Sequence, residues 1–152
     1  MWWLMRYSEE QIVWQEVPGE TSLAYTITGC DIGCKGCHST HTWPLNSGEL
    51  LSVEYFKTRL NTYAGFISCV LFLGGEWHLD TLKTYLRIAR KQGLNTCLYT
   101  GLETPPPALL PYLTYVKTGP WMSSRGGLAD RGTNQKFIHV KTGEVQNYKF
   151  WS

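Results

Sequence analysis

With 152 residues, a formal net charge of +2, 43% hydrophobic and 17% charged residues, the chain has the makeup of one globular domain rather than a disordered segment. The charge is too small to point to nucleic acid, and no apolar run is long enough for a membrane span, so neither partner is expected. Five cysteines, an odd number, and an apolar start (Met1-Trp2-Trp3-Leu4-Met5) without a signal-peptide pattern argue for the reducing cytoplasm and against a disulfide framework.

Residues 1–22 form an opening segment, with an edge strand expected over 11–17 and a stop at Pro18-Gly19. Residues 23–28 read as a strand. A loop follows to about Ser47-Gly48, and it holds three of the five cysteines: Cys30, Cys34 and Cys37, spaced C-x3-C-x2-C. Ser52 is a candidate N-cap for a helix with Val53, Phe56, Leu60 and Tyr63 on one face. Residues 68–73 are almost wholly apolar, as a strand covered on both faces would be, and they end at Gly74-Gly75-Glu76-Trp77. Asp80 opens a second helix carrying Leu79, Leu82, Leu86 and Ala89 at helical spacing, stopped by Gly93.

A third core strand is expected over 95–99, ending at Thr100-Gly101. Pro105, Pro106 and Pro107 open a short helical turn through Leu113, and residues 115–118 form a fourth strand before Gly119-Pro120. A polar, Gly-rich loop runs over 123–135. A closing hairpin is expected over about 136–151, around Thr142-Gly143.

Strand, helix, strand, helix, strand is the signature of an α/β fold with a mostly parallel sheet. No repeat or linker divides residues 1–152, so a single domain is expected. Ligands of such sheets bind at the carboxyl ends of the strands. Those ends carry the cysteine loop, Gly74-Gly75-Glu76, Thr100-Gly101 and Lys117-Thr118-Gly119, so every unusual motif falls on one rim.

Three clustered thiolates without a nearby fourth suit a cubane iron–sulfur cluster with one iron open to a small molecule. Gly29, Gly33 and Gly36 would let the loop wrap it. A zinc site built from Cys30, Cys34, Cys37 and His38 or His41 fits the same spacing. Cys69 and Cys97, inside apolar strands, read as small core residues. Glycines after a buried strand often only make a turn. At Gly74 and Gly75 they would also admit a ligand to bare backbone, with Glu76 accepting from a cationic group. Lys117, in an apolar strand, either snorkels outward or meets a carboxylate on the rim.

C-x3-C-x2-C after one strand and Gly-Gly-Glu after the next resembles the radical S-adenosylmethionine (SAM) superfamily. Cys34-Lys35-Gly36-Cys37-His38 with Thr42-Trp43 resembles its glycyl-radical-enzyme activases. Lys117-Thr118-Gly119-Pro120-Trp121, Gly126-Gly127-Leu128 and Thr133-Asn134-Gln135 are similar to the activating-protein family of the anaerobic ribonucleoside-triphosphate reductase. The resemblance covers nearly the whole chain, most clearly residues 20–140.

It implies an open, partial (β/α) barrel of the radical SAM type. It implies a [4Fe-4S] cluster on Cys30, Cys34 and Cys37, which would be catalytic. SAM would be bound by the free iron and by Gly74, Gly75 and Glu76, with Gly36 and His38 against its adenosine end and Lys117 at its carboxylate or ribose. Reductive cleavage to a 5′-deoxyadenosyl radical, hydrogen abstraction from a glycine of the partner reductase, and a low-potential electron donor such as flavodoxin follow from the same resemblance.

Gly36 stands where much of the superfamily has an aromatic residue, and Trp77 where proline is common. Trp43, Trp77 and Trp121 are candidate contacts for the partner's glycine loop. A radical SAM reaction on a small molecule, such as a deazapurine-forming step, and a zinc-binding interaction module are the rival readings.

Overall fold

The computed structural model describes residues 5–28 and 48–151. Within them the strands are β1 (Arg6–Val13), β2 (Ser22–Ile27), β3 (Glu49–Leu50), β4 (Cys69–Leu73), β5 (Asn95–Tyr99), β6 (Tyr115–Thr118), β7 (Lys136–His139) and β8 (Glu144–Val145). Helix α1 (Val53–Thr62) leads into β4 and α2 (Leu79–Lys91) into β5. Two 3-10 turns, Pro107–Tyr112 and Asn147–Phe150, complete the described chain.

These strands form one sheet in the order β3-β1-β2-β4-β5-β6-β7-β8. The central four, β2, β4, β5 and β6, are parallel, and each new strand is added on the same side of the last. Right-handed crossovers that always step one way put their helices on one face of the sheet.

The outer strands depart from the mostly parallel expectation. β1 runs antiparallel to β2, β3 to β1, β7 to β6 and β8 to β7, so the sheet is mixed. For two of these pairs the cause lies in the connections. The links β1–β2 and β7–β8 are too short for a crossover, which needs a dozen or more residues, and a short link can only reverse the chain.

Side chains alternate across the strands and build two cores. Leu23, Tyr25 and Ile27 of β2, Val70 and Phe72 of β4, and Leu98 and Val116 pack with Phe56 and Leu60 of α1 and Leu82, Tyr85, Leu86 and Ala89 of α2. The Phe56 and Tyr85 rings stack at 5.0 Å. On the other face Ala24, Cys69, Leu71 and Cys97 meet Phe137, and Val17 and Leu128 cover them. Cover on both sides is why residues 69–73 read as one unbroken apolar run.

Ser52 caps α1 as the sequence indicates: its hydroxyl oxygen accepts the Tyr55 N–H at 3.1 Å. α2 begins at Leu79, with Asp80 in its first turn, where a carboxylate complements the helix dipole.

Two elements differ from their sequence reading. The first strand covers Arg6–Val13 instead of residues 11–17, and Trp14 to Gly19 form bends and a turn that seat Val17 against the sheet. Charged Glu9 and Glu10 hide this strand from a hydrophobic pattern. The last expected strand shrinks to Glu144–Val145 and gives way to a 3-10 turn.

Candidate functional site

The carboxyl ends of β4, β5 and β6 are tied into one rigid corner. Gly74 and Gly75 follow β4 with φ of +89° and +107°, a region that favours glycine. A Cβ on Gly74 would lie 2.8 Å from the Trp77 ring, and one on Gly75 would lie 3.3 Å from Ile27 Cγ1. The turn therefore folds against the end of β2 and lets the Trp77 indole lie on bare backbone. The Gly74 N–H donates to the Tyr99 carbonyl at 2.9 Å, and the Gly75 carbonyl accepts from the His78 N–H at 2.9 Å as α2 begins.

Glu76 is held inside this corner, only 7% exposed. Its Oε1 accepts the Thr100 hydroxyl at 2.6 Å. Thr100 Oγ1 in turn accepts the Leu102 N–H at 3.1 Å, and the Leu102 carbonyl accepts the Gly119 N–H at 2.7 Å. The Thr100 N–H donates to the Lys117 carbonyl at 2.9 Å. A carboxylate kept this far from water needs donors around it, and a carboxylate so placed suits a cationic ligand group.

Lys117 lies on the face away from the helices. Its Nζ sits 5.3 Å from the Tyr99 ring centroid and donates to the Gly119 carbonyl at 3.5 Å. It is half-buried rather than extended into solvent. Gly119 packs on the later motif: the Gln135 amide donates to its carbonyl at 3.4 Å, and the Asn134 amide donates to the Pro120 carbonyl at 3.0 Å. Two stretches distant in sequence, around residues 117–121 and 133–135, thus form one surface.

Cys30, Cys34, Cys37, Gly36 and His38, with His41 and Trp43, lie outside the described residues. The described residues flanking that segment converge. The Thr28 N–H donates to the Arg6 carbonyl at 2.9 Å, the Arg6 guanidinium donates to the Gly48 carbonyl at 3.4 Å, and a Cβ on Gly48 would lie 2.9 Å from Thr28 Cγ2. Thr28 and Gly48 therefore lie together at the carboxyl end of β2, beside the strand whose end carries Gly74 and Gly75.

Among the described residues no group of three or more His, Cys, Asp or Glu could hold a metal ion. Cys69 and Cys97 are fully buried beneath Leu128 and Phe137, as their reading as core residues requires. Burial pushes the Cys69 thiol up to about 12 and the Cys97 thiol well above its usual value, which disfavours the thiolate a metal needs. Trp77 packs partly against the helix-side core, and Trp121 is half-buried against Gly127. Thr100 is the residue that sequence reasoning placed on the rim, as Thr100-Gly101, without giving it a role. The available signal was a hydroxyl directly after a buried strand, on the rim shared with Gly-Gly-Glu.

The donor set in the sequence, three cysteine thiols, has the chemistry an iron–sulfur group takes, and the buried Glu76 has that of a partner for a cationic group. Thr28 and Gly48, the described residues on either side of the three-cysteine stretch, meet at the carboxyl end of β2, and a glycine turn and a buried carboxylate follow the neighbouring strand β4. No helix among the described residues is long and apolar enough to cross a membrane.

A family model described as a 4Fe-4S single cluster domain matches residues 17–104, more than half of the chain. Pyruvate formate-lyase 1-activating enzyme of Escherichia coli (strain K12) is 32% identical over 79 residues, covering 48% of this chain and 32% of that protein. Pyruvate formate-lyase-activating enzyme of Clostridium pasteurianum is 28% identical over 90 residues, covering 55% of this chain and 37% of that protein. The chain therefore spans about a third of the length of these curated relatives.

Proposed function

The chain belongs to the family of 4Fe-4S single cluster domains, and on that premise we propose that it is a radical SAM activase that generates a glycyl radical on a partner enzyme. One observation carries the reading. The buried Glu76 carboxylate stands on a glycine turn at the same rim as Thr28 and Gly48, the residues that flank the three cysteines in sequence.

In this proposal Cys30, Cys34 and Cys37 hold the [4Fe-4S] cluster. Gly74 and Gly75 present backbone to SAM, and Glu76 accepts its amino group. Lys117 meets its carboxylate or ribose, and Gly36 and His38 lie at its adenosine end. When bound, the cluster supplies one-electron chemistry on the SAM sulfonium; the protein binds and orients SAM and excludes competing reactions. The one-way winding of β2, β4, β5 and β6 supports an open partial barrel, with residues 1–152 as its single domain.

The proposed partner is the anaerobic ribonucleoside-triphosphate reductase, with a low-potential donor such as flavodoxin, in the cytoplasm. Support comes from the packing of Gly119 and Pro120 on Asn134 and Gln135, which joins the stretches that resemble that family. The curated relatives are named for pyruvate formate-lyase, so that enzyme is the rival partner.

Anaerobic reconstitution with iron and sulfide tests the first level. A brown protein with about four irons is expected, and a colourless one with a single tight zinc would sink the reading. Incubation with SAM, a strong reductant and each candidate partner tests the second. A glycyl radical in the electron paramagnetic resonance spectrum is expected with the reductase, and a signal with pyruvate formate-lyase alone would reassign the partner.

A further inference from the structure

We infer that Thr100 is a positioning residue for the ligand-binding carboxylate, orienting Glu76 toward the amino group of SAM. The inference rests on the activase reading for the ligand, but its geometry belongs to this chain.

Thr100 is 1% exposed and follows β5, whereas Glu76 follows β4. A backbone N–H can only donate, so Thr100 Oγ1 accepts from Leu102 at 3.1 Å. An ionised carboxylate can only accept, so the one hydroxyl proton of Thr100 points at Glu76 Oε1, at 2.6 Å. The direction of this bond is therefore fixed at both ends. Upstream, the Leu102 carbonyl is held by the Gly119 N–H at 2.7 Å, so the ends of β5 and β6 together set where the hydroxyl stands. Linked bonds of this kind polarise and strengthen one another in a buried site.

The consequence is selective. A carboxylate offers about four acceptor positions, and the hydroxyl takes one of them. That contact selects the rotamer of the carboxylate from the end of the neighbouring strand. A cationic amine then meets the carboxylate oxygen at a preset position. A neutral ligand of the same shape gains nothing from the arrangement, so Thr100 acts on recognition of the amine and not on the rest of SAM.

The test is equilibrium binding of SAM, and of its analogue with hydrogen in place of the α-amino group, to the cluster-loaded full chain. Thr100→Val removes the hydroxyl but keeps the branched shape; Thr100→Ser keeps the hydroxyl. SAM binding is expected to weaken roughly tenfold in Thr100→Val, the scale of one lost hydrogen bond to a charged group, and to recover in Thr100→Ser. Binding of the des-amino analogue is expected to change less than about twofold in both. Equal weakening for the two ligands, or none, would overturn the inference. So would loss of the fold in Thr100→Val with Thr100→Ser intact, which would make the hydroxyl structural. Failure of the unaltered chain to bind SAM would overturn the activase reading and this inference with it, whereas wild-type binding with an indifferent Thr100→Val overturns this inference alone.

Discussion

The Tyr25 hydroxyl donates to the Glu10 carboxylate at 2.6 Å, joining the centre of the helix-side core to a charged strand near the edge. Glu10 also accepts from the Tyr55 hydroxyl at 3.0 Å and pairs with Arg59 at 3.1 Å. Tyr25 is fully buried, so its hydroxyl has no water to turn to. Burial, and then the carboxylate, raise its pKa well above the usual phenol range. Glu10→Ala is expected to lower the unfolding free energy by about 1–3 kcal/mol, and Glu10→Gln, which keeps an acceptor, by less. Urea unfolding measures both. Equal stability of all three proteins would show that the network contributes nothing.

Gly74 and Gly65 separate backbone strain from crowding. Both have positive φ, +89° and +81°, but a Cβ on Gly65 meets nothing within 4 Å. Gly65→Ala is expected to cost about 1–2 kcal/mol, the strain of a left-handed residue. Gly74→Ala adds collision with the Trp77 ring and is expected to cost about 1–3 kcal/mol more. Thermal unfolding of the two variants decides it, and equal losses would place the indole elsewhere in solution.

Cysteine substitutions divide the five residues by role. Cys30→Ala, Cys34→Ala and Cys37→Ala are each expected to lose most of the iron after reconstitution. Cys69→Ala and Cys97→Ala are expected to keep the wild-type amount while losing about 1 kcal/mol of stability to the small void left in the core. Iron content per chain is the readout, and iron loss in Cys69→Ala would give that thiol a ligand role.

Alkaline pH is expected to unfold the chain. The Cys69 thiol rises from its ordinary value of 9.0 to about 12, and the Tyr85 and Tyr115 phenols rise from 10.0 to about 12, burial being the main cause for each. The folded state thus holds these protons more tightly than the unfolded one. Their contribution is complete below about pH 9 and is lost as pH climbs toward about 12, because the unfolded chain ionises first. Urea midpoints measured at about pH 8 and about pH 11 should fall, with a shallower decline in Cys69→Ala. A flat profile would contradict the burial of these groups.

The helices and central strands were legible because each writes its period into the chain. Ser52 with Val53, Phe56 and Leu60 spells out α1, and the unbroken apolar residues 69–73 announce a strand covered on both faces. The rim was legible too, since a parallel sheet aligns the ends of its strands, and Gly74-Gly75-Glu76 and Lys117 both lie there. β1 was not, because what makes its charged residues tolerable is a partner from elsewhere: Glu10 needs Tyr25, Tyr55 and Arg59.

By itself the sequence determined the α/β class, the order of the core elements, the three-thiol spacing and the glycine turn after β4. These are local properties, set by side-chain period, backbone freedom and donor chemistry. Only the tertiary structure decided that the sheet is mixed, that Leu128 and Val17 close its second face, and that Glu20 ties together Ser68, Asn95 and Tyr115 at the opposite end from the rim. It alone directed the Thr100 hydroxyl at Glu76. Such contacts join residues tens of positions apart, and a hydrogen bond depends on distance and direction in space, which no spacing along the chain encodes.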